Sequence, residues 1–146
     1  MTESAQKLQE ERLRLLERAI DATFNSILIT DATRPHNPLI YVNAAFERIT
    51  GYSREEVLGR NCSFLQNGDN DQPDIHELRN AIREQREGRA VLRNYRKDGS
   101  MFWNELLIAP VRDEQNRVTH FIGVQNDVSE RLNYQAQLEH QATHDA

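Results

Sequence analysis

The chain has 146 residues, 38% of them hydrophobic, and a formal net charge of −5, which fits one domain of modest core with some extra helix. That acidic balance gives no electrostatic case for binding nucleic acid or an anionic membrane surface. No apolar run is long enough to span a membrane, the N-terminus lacks the apolar centre of a signal peptide, and one cysteine makes neither an internal disulfide nor a thiolate metal site, so a reducing cytoplasm is the expected setting.

Residues from about Glu3 to Ala22 are charged, free of Gly and Pro, and carry Leu8, Leu13, Leu15, Leu16, Ala19 and Ile20 at helical spacing. Residues 1–22 are therefore expected to form a flanking helix. Next, "SILITDATRPHNPLIYVN" predicts two short strands around a Pro/Asn turn. "NAAFERITGYS" predicts a short helix begun by Asn43 and stopped at Gly51. Ser53 and Glu56 offer a capping box for another helical turn. "CSFLQNGDNDQP" reads as a short helix passing into a polar loop, and "DIHELRNAIREQREG" as a helix ended by Gly88. Three strands follow, over Ala90 to Lys97, Met101 to Arg112 and Arg117 to Asn126. From Val128 to residue 146 the helical texture returns, with Asp127 or Ser129 as a cap. Two strands, several short helices and three strands, over residues 23–127, predict an α+β fold with an antiparallel sheet.

The last three strands each place one carboxamide on the same face as their apolar residues: Asn94 with Leu92, Asn104 with Phe102, Leu106 and Ile108, and Gln125 with Phe121 and Gly123. Taking Asp113–Asn116 and Asp98–Ser100 as the turns, with a bulge in the second, puts Asn104 directly opposite both Gln125 and Asn94. Buried amides need partners, and a flat heterocycle with alternating carbonyl and N–H groups would supply them.

Three stretches, "GRNCSFLQ", "NYRKDGSMFWNE" and "FIGVQNDVSE", resemble the light-oxygen-voltage (LOV) blue-light photoreceptor domains of the PAS superfamily, over about Phe24 to Val128. The resemblance implies a PAS fold: a five-stranded antiparallel sheet with short helices on one face, flanked by terminal helices. It also implies a noncovalent flavin, usually FMN, with FAD or riboflavin as alternatives. Cys62 would form the reversible bond to flavin C4a. Asn61 and Gln66 would contact the flavin chain or ring, Asn94 and Asn104 its pyrimidine edge, and Arg79 the phosphate. Gln125, near flavin N5, would relay the change by reorienting its amide. One position departs from the pattern: Ser63 stands where the family usually has a phosphate-binding arginine, and Arg83, one turn beyond Arg79, is a candidate replacement.

The opposite sheet face also carries apolar residues, Trp103, Leu107, Ile122 and Val124, and the terminal helices are the expected cover, within one chain or across a homodimer. The tail "LEHQATHDA" resembles the lead-in to GGDEF diguanylate cyclase domains, so the chain is expected to be the sensory part of a longer enzyme, with no turnover of its own. The five histidines show no ligand spacing, so no metal is expected. Two other readings stand beside the photosensor: a flavin redox module in which Cys62 is incidental, and a ligand-free PAS dimerisation module.

Overall fold

The computed structural model describes residues 2–144. Its centre is a five-stranded antiparallel sheet in the order β2-β1-β5-β4-β3, built from β1 (Ser26–Asp31), β2 (Leu39–Val42), β3 (Gly88–Tyr95), β4 (Met101–Arg112) and β5 (Val118–Asp127). Burial alternates along β3, β4 and β5 as a pleated sheet with one covered face requires. The inner face carries Leu28, Leu92, Phe102, Leu106, Ile108 and Phe121, all buried. Fully burying a side chain such as Phe102 contributes about 1.5–3 kcal/mol.

Short helices cover that face: α2 (Ala44–Thr50), α3 (Arg54–Val57), a 3-10 helix (Cys62–Gln66) and α4 (Pro73–Arg83). Local chemistry sets their limits. Asn43 caps α2 by accepting from the Phe46 N–H, and Gly51 ends it in the left-handed region at φ 77°. The expected capping box forms between Ser53 and Glu56. Helix α4 stops at Arg83, five residues before the expected Gly88, because Gln85 turns left-handed at φ 56°. Gly88 instead opens β3, where a Cβ would lie 2.6 Å from that of Ala81, so its missing side chain lets helix and strand approach.

Helix α1 (Glu3–Asp21) buries none of its residues, and Leu8, Leu13, Leu15 and Leu16 are exposed. Only its C-terminal end is tied down. Asn43 Nδ2 donates to the Ile20 and Asn25 carbonyls, and the Asp21 carboxylate accepts from the Ala44 N–H, the Tyr41 hydroxyl and Arg54. Helix α5 (Ser129–His144) starts against β4: Val128 is buried, the Trp103 N–H donates to Ser129 Oγ, and Arg131 reaches Glu105 at 3.4 Å. Asp127 accepts from the Ser129 N–H at 3.0 Å, as one of the two candidate caps. Beyond that first turn α5 is mostly exposed. Among the described residues α5 reaches the outer sheet face by its first turn, at Glu105, and leaves Leu107 beyond it 41% exposed. Part of the "ATHD" tail, Asp145 onward, lies outside the described residues.

Candidate functional site

Between the inner sheet face and the short helices lies a cavity of about 550 Å³, within the size range of small-molecule and cofactor sites. Its walls are apolar: Leu28, Leu92, Leu106, Ile108 and Phe121 from the sheet, and Ile75, Leu78 and Ile82 from α4. Polar groups interrupt them at Thr30, Gln66, Asn94 and Gln125 and gather at one end.

Cys62 opens the 3-10 helix. Asn61 caps that helix by accepting from the Ser63 N–H at 2.9 Å, which aims the cysteine at the cavity wall. The thiol packs beside the cluster of Leu28, Val42, Phe46 and Leu65. Burial pushes its pKa up to about 12, so at neutral pH it is a protonated thiol and not a ready nucleophile. Gln66, 7% exposed, closes the same helix and lines the same cavity.

The carboxamides share the inner face, but their register differs from the sequence expectation. Asn104 lies opposite Leu92 and Asp127, Asn94 opposite Phe102, and Gln125 opposite Leu106. Each pairing is displaced by two residues. One cause is the turn after β3, where the Arg96 N–H donates to the Ser100 carbonyl so that Lys97–Gly99 form the loop. The other lies after β4, where an irregularity between Val111 and Arg112 and a loop one residue longer than expected, residues 113–117, contribute one residue each. An even displacement keeps every side chain on its face, so the amides become diagonal neighbours and not direct partners.

Asn104 Nδ2 donates to Asn94 Oδ1 at 2.8 Å, and Asn94 Nδ2 donates to the Arg93 carbonyl at 2.9 Å. Asn94 and Gln125 line the cavity; Asn104 does not, and reaches it through Asn94. Asn104 Oδ1 is buried without a hydrogen-bond partner among the described residues, at a cost of about 1–3 kcal/mol. Gln125, 1% exposed, accepts at Oε1 from the Ser26 hydroxyl at 2.9 Å. Ser26 escapes the sequence reading because only the β1–β5 pairing, which sets Ser26 against Gln125, reveals it.

At the exposed mouth stand Arg79 and Arg83 of α4, Asn61, Ser63, and the turn at His36 and Asn37. Among the described residues, no group of acidic, histidine or cysteine side chains could hold a metal ion. The cavity fits a flavin in three respects: apolar walls for a flat ring, amides able to donate and accept at its edge, and an orphaned acceptor behind them.

Residues 25–130 match the family profile described as PAS domain. The bacterioopsin transcriptional activator of Halobacterium salinarum is 47% identical over 130 residues, covering 89% of this chain and 19% of that protein. A blue-light photoreceptor of Listeria monocytogenes is 43% identical over 126 residues, covering 86% of this chain and 49% of that one. The chain thus spans less than half the length of these curated relatives. The solved LOV domain from a blue-light activated histidine kinase of Erythrobacter litoralis is 45% identical, with a TM-score of 0.68 over 72% of this chain and 96% of that domain.

Proposed function

The chain belongs to the PAS family, as a light-oxygen-voltage (LOV) domain, and from that premise we propose that it senses blue light through a flavin held in the cavity. The observation that carries this reading is a lone protonated thiol on the wall of an apolar cavity edged by carboxamides. A bound flavin would supply the light absorption and, once excited, an electrophilic carbon, C4a, for a thiol.

Cys62 would supply both sulfur, to C4a, and its proton, to the adjoining ring nitrogen N5, and its raised pKa keeps it a thiol before excitation. Gln66, Asn94 and Gln125 hold the polar edge, with Asn104 acting through Asn94. Asn61 and Arg79 at the mouth meet the polar chain and its phosphate, which favours FMN. Gln125 answers a change of donor pattern by rotating its amide. The Ser26 hydroxyl can follow, because it both donates and accepts. From there the change has two exits: Ser26 adjoins the Asn25 and Thr23 anchor of α1, and Gln125 adjoins Val124 on the outer face.

The chain itself acts as sensor, without turnover, in a cytoplasm that keeps the thiol reduced. Its output passes to the terminal helices, a homodimer and an attached effector. The "ATHD" tail favours a diguanylate cyclase in that place.

The test is the absorption spectrum of the purified protein in the dark, after blue light and through dark recovery. A structured blue band that bleaches and returns, and that stays unbleached in Cys62→Ala, is expected. A flavin band that fails to bleach in the unmodified protein leaves a flavin redox module. Colourless protein that takes up no added flavin leaves a ligand-free dimerisation module.

A further inference from the structure

We propose that His36 is a phosphate-recognition residue of the cavity mouth, supplying with Arg79 the second contact that Ser63 cannot make. It thereby selects a flavin whose chain ends in a phosphate. This inference rests on the flavin reading above and sharpens it.

Charge is the first observation. The chain carries 23 acidic residues against 18 basic ones. Yet among the described residues no aspartate or glutamate lines the cavity, while Arg79, Arg83 and His36 do. The polar groups deep in the cavity, Asn94, Gln125 and Gln66, are neutral and buried, and the basic groups sit at the exposed end. A ligand with a neutral polar ring edge and an anionic tail matches that order.

The state of the arginines is the second. Arg79 and Arg83 are one turn apart and so lie on one side of α4. Arg83 is engaged, donating from Nη2 to Asn80 Oδ1 at 2.5 Å. The Arg79 guanidinium makes no hydrogen bond or ion pair among the described residues, and is free for an anion.

The turn at the mouth is the third. His36 and Asn37 have φ of 68° and 45°, a left-handed conformation uncommon for non-glycine residues and one in which histidine and asparagine are enriched. Asn61 holds it there. Its Nδ2 donates to the His36 carbonyl at 2.6 Å while its Oδ1 accepts from the Ser63 N–H at 2.9 Å. One side chain therefore fixes the His36 turn relative to Ser63, the position lacking the arginine. A neutral imidazole always carries one N–H donor, and a protonated one carries two and a charge. With its backbone held to the residue that also holds Ser63, His36 lines the same cavity and can offer the donor that Ser63 is too short to extend.

The experiment strips any flavin from the purified chain and titrates it with FMN and, separately, with riboflavin, following flavin fluorescence. The variants are His36→Gly, which removes the imidazole while easing the left-handed backbone, and Arg79→Ala. Wild type is expected to prefer FMN. His36→Gly is expected to lower FMN affinity about tenfold, in line with the loss of one charge-assisted hydrogen bond, with riboflavin affinity held within about twofold. Arg79→Ala should lower the FMN preference at least as far. An unchanged FMN-to-riboflavin ratio in His36→Gly, or an equal fall for both flavins, would overturn the role of His36 and leave the flavin reading standing. A wild-type chain that binds neither flavin would overturn the flavin reading itself.

Discussion

Cys62 illustrates what one residue contributes when its surroundings are arranged to keep it quiet. Its pKa of about 12, against an ordinary 9.0, leaves about a thousandth of the usual thiolate at neutral pH. Alkylation of the unilluminated protein by iodoacetamide should therefore run about a thousandfold slower than that of a free cysteine. It should rise about tenfold per pH unit up to pH 12. The sign for stability follows. A thiol raised in the folded state stabilises it fully below pH 9, and this is lost as pH rises through 12. Mass spectrometry of alkylated protein over pH 7–10 measures the rate. A rate equal to that of free cysteine would show that the thiol is not shielded. Cys62, Gln66, Arg79 and Gln125, which line the cavity, were singled out by family resemblance and, for Gln125, also by strand parity. Ser26 and His36 were not. Ser26 meets Gln125 only through a pairing of strands 99 residues apart in the chain, and His36 reaches the cavity through a turn whose left-handed backbone no residue type guarantees.

At the scale of elements, parity was readable and registry was not. Alternation fixes which face a strand residue takes, and so the amides were assigned correctly to the covered face. Registry depends on turn geometry: after β3 a loop of the expected length starts one residue early, and after β4 an irregularity at Val111/Arg112 adds to a loop one residue longer than expected, so that each pairing moved by two. Similarly, Gly88 looked like a helix stop although its missing Cβ serves the close contact with Ala81. The attachment of α5 is another feature of registry. Glu105, on β4, accepts from Arg89 at 2.6 Å and meets Arg131 at 3.4 Å, beside the Trp103 N–H bond to Ser129. Arg89 and Arg131 together hold the Glu105 carboxyl below its usual range. Glu105→Gln removes the charge that holds Arg131. Hydrogen exchange over residues 129–135 should quicken several-fold, while β1 and β5 keep their protection. Unchanged exchange in that segment would mean that Val128 and Ser129 alone dock the helix.

For the whole molecule the unsolved surface is the outer face of the sheet. Leu107 and Val111 are 41% and 43% exposed there, with Trp103, Ile122 and Val124 only half-buried. The leucines of α1, at positions 8, 13, 15 and 16, are between 49% and 62% exposed. One chain therefore presents two apolar surfaces, a sheet face and a helix anchored only at its C-terminal end, and leaves both in water. A two-fold pair would cover both at once, with the helix of each copy on the sheet face of the other. Such a pair would also put the partner against Val124, one residue from Gln125, so that the proposed rotation of the Gln125 amide would reach the interface across a single strand. Light scattering on the eluting protein should report twice the monomer mass of 17.0 kDa. Leu13→Glu with Leu16→Glu, or Leu107→Glu alone, should give monomers that still bind flavin, since none of the three positions lines the cavity. A wild-type chain that stays monomeric at about 100 μM, well above the micromolar dissociation constants of weak specific pairs, would exclude the pair.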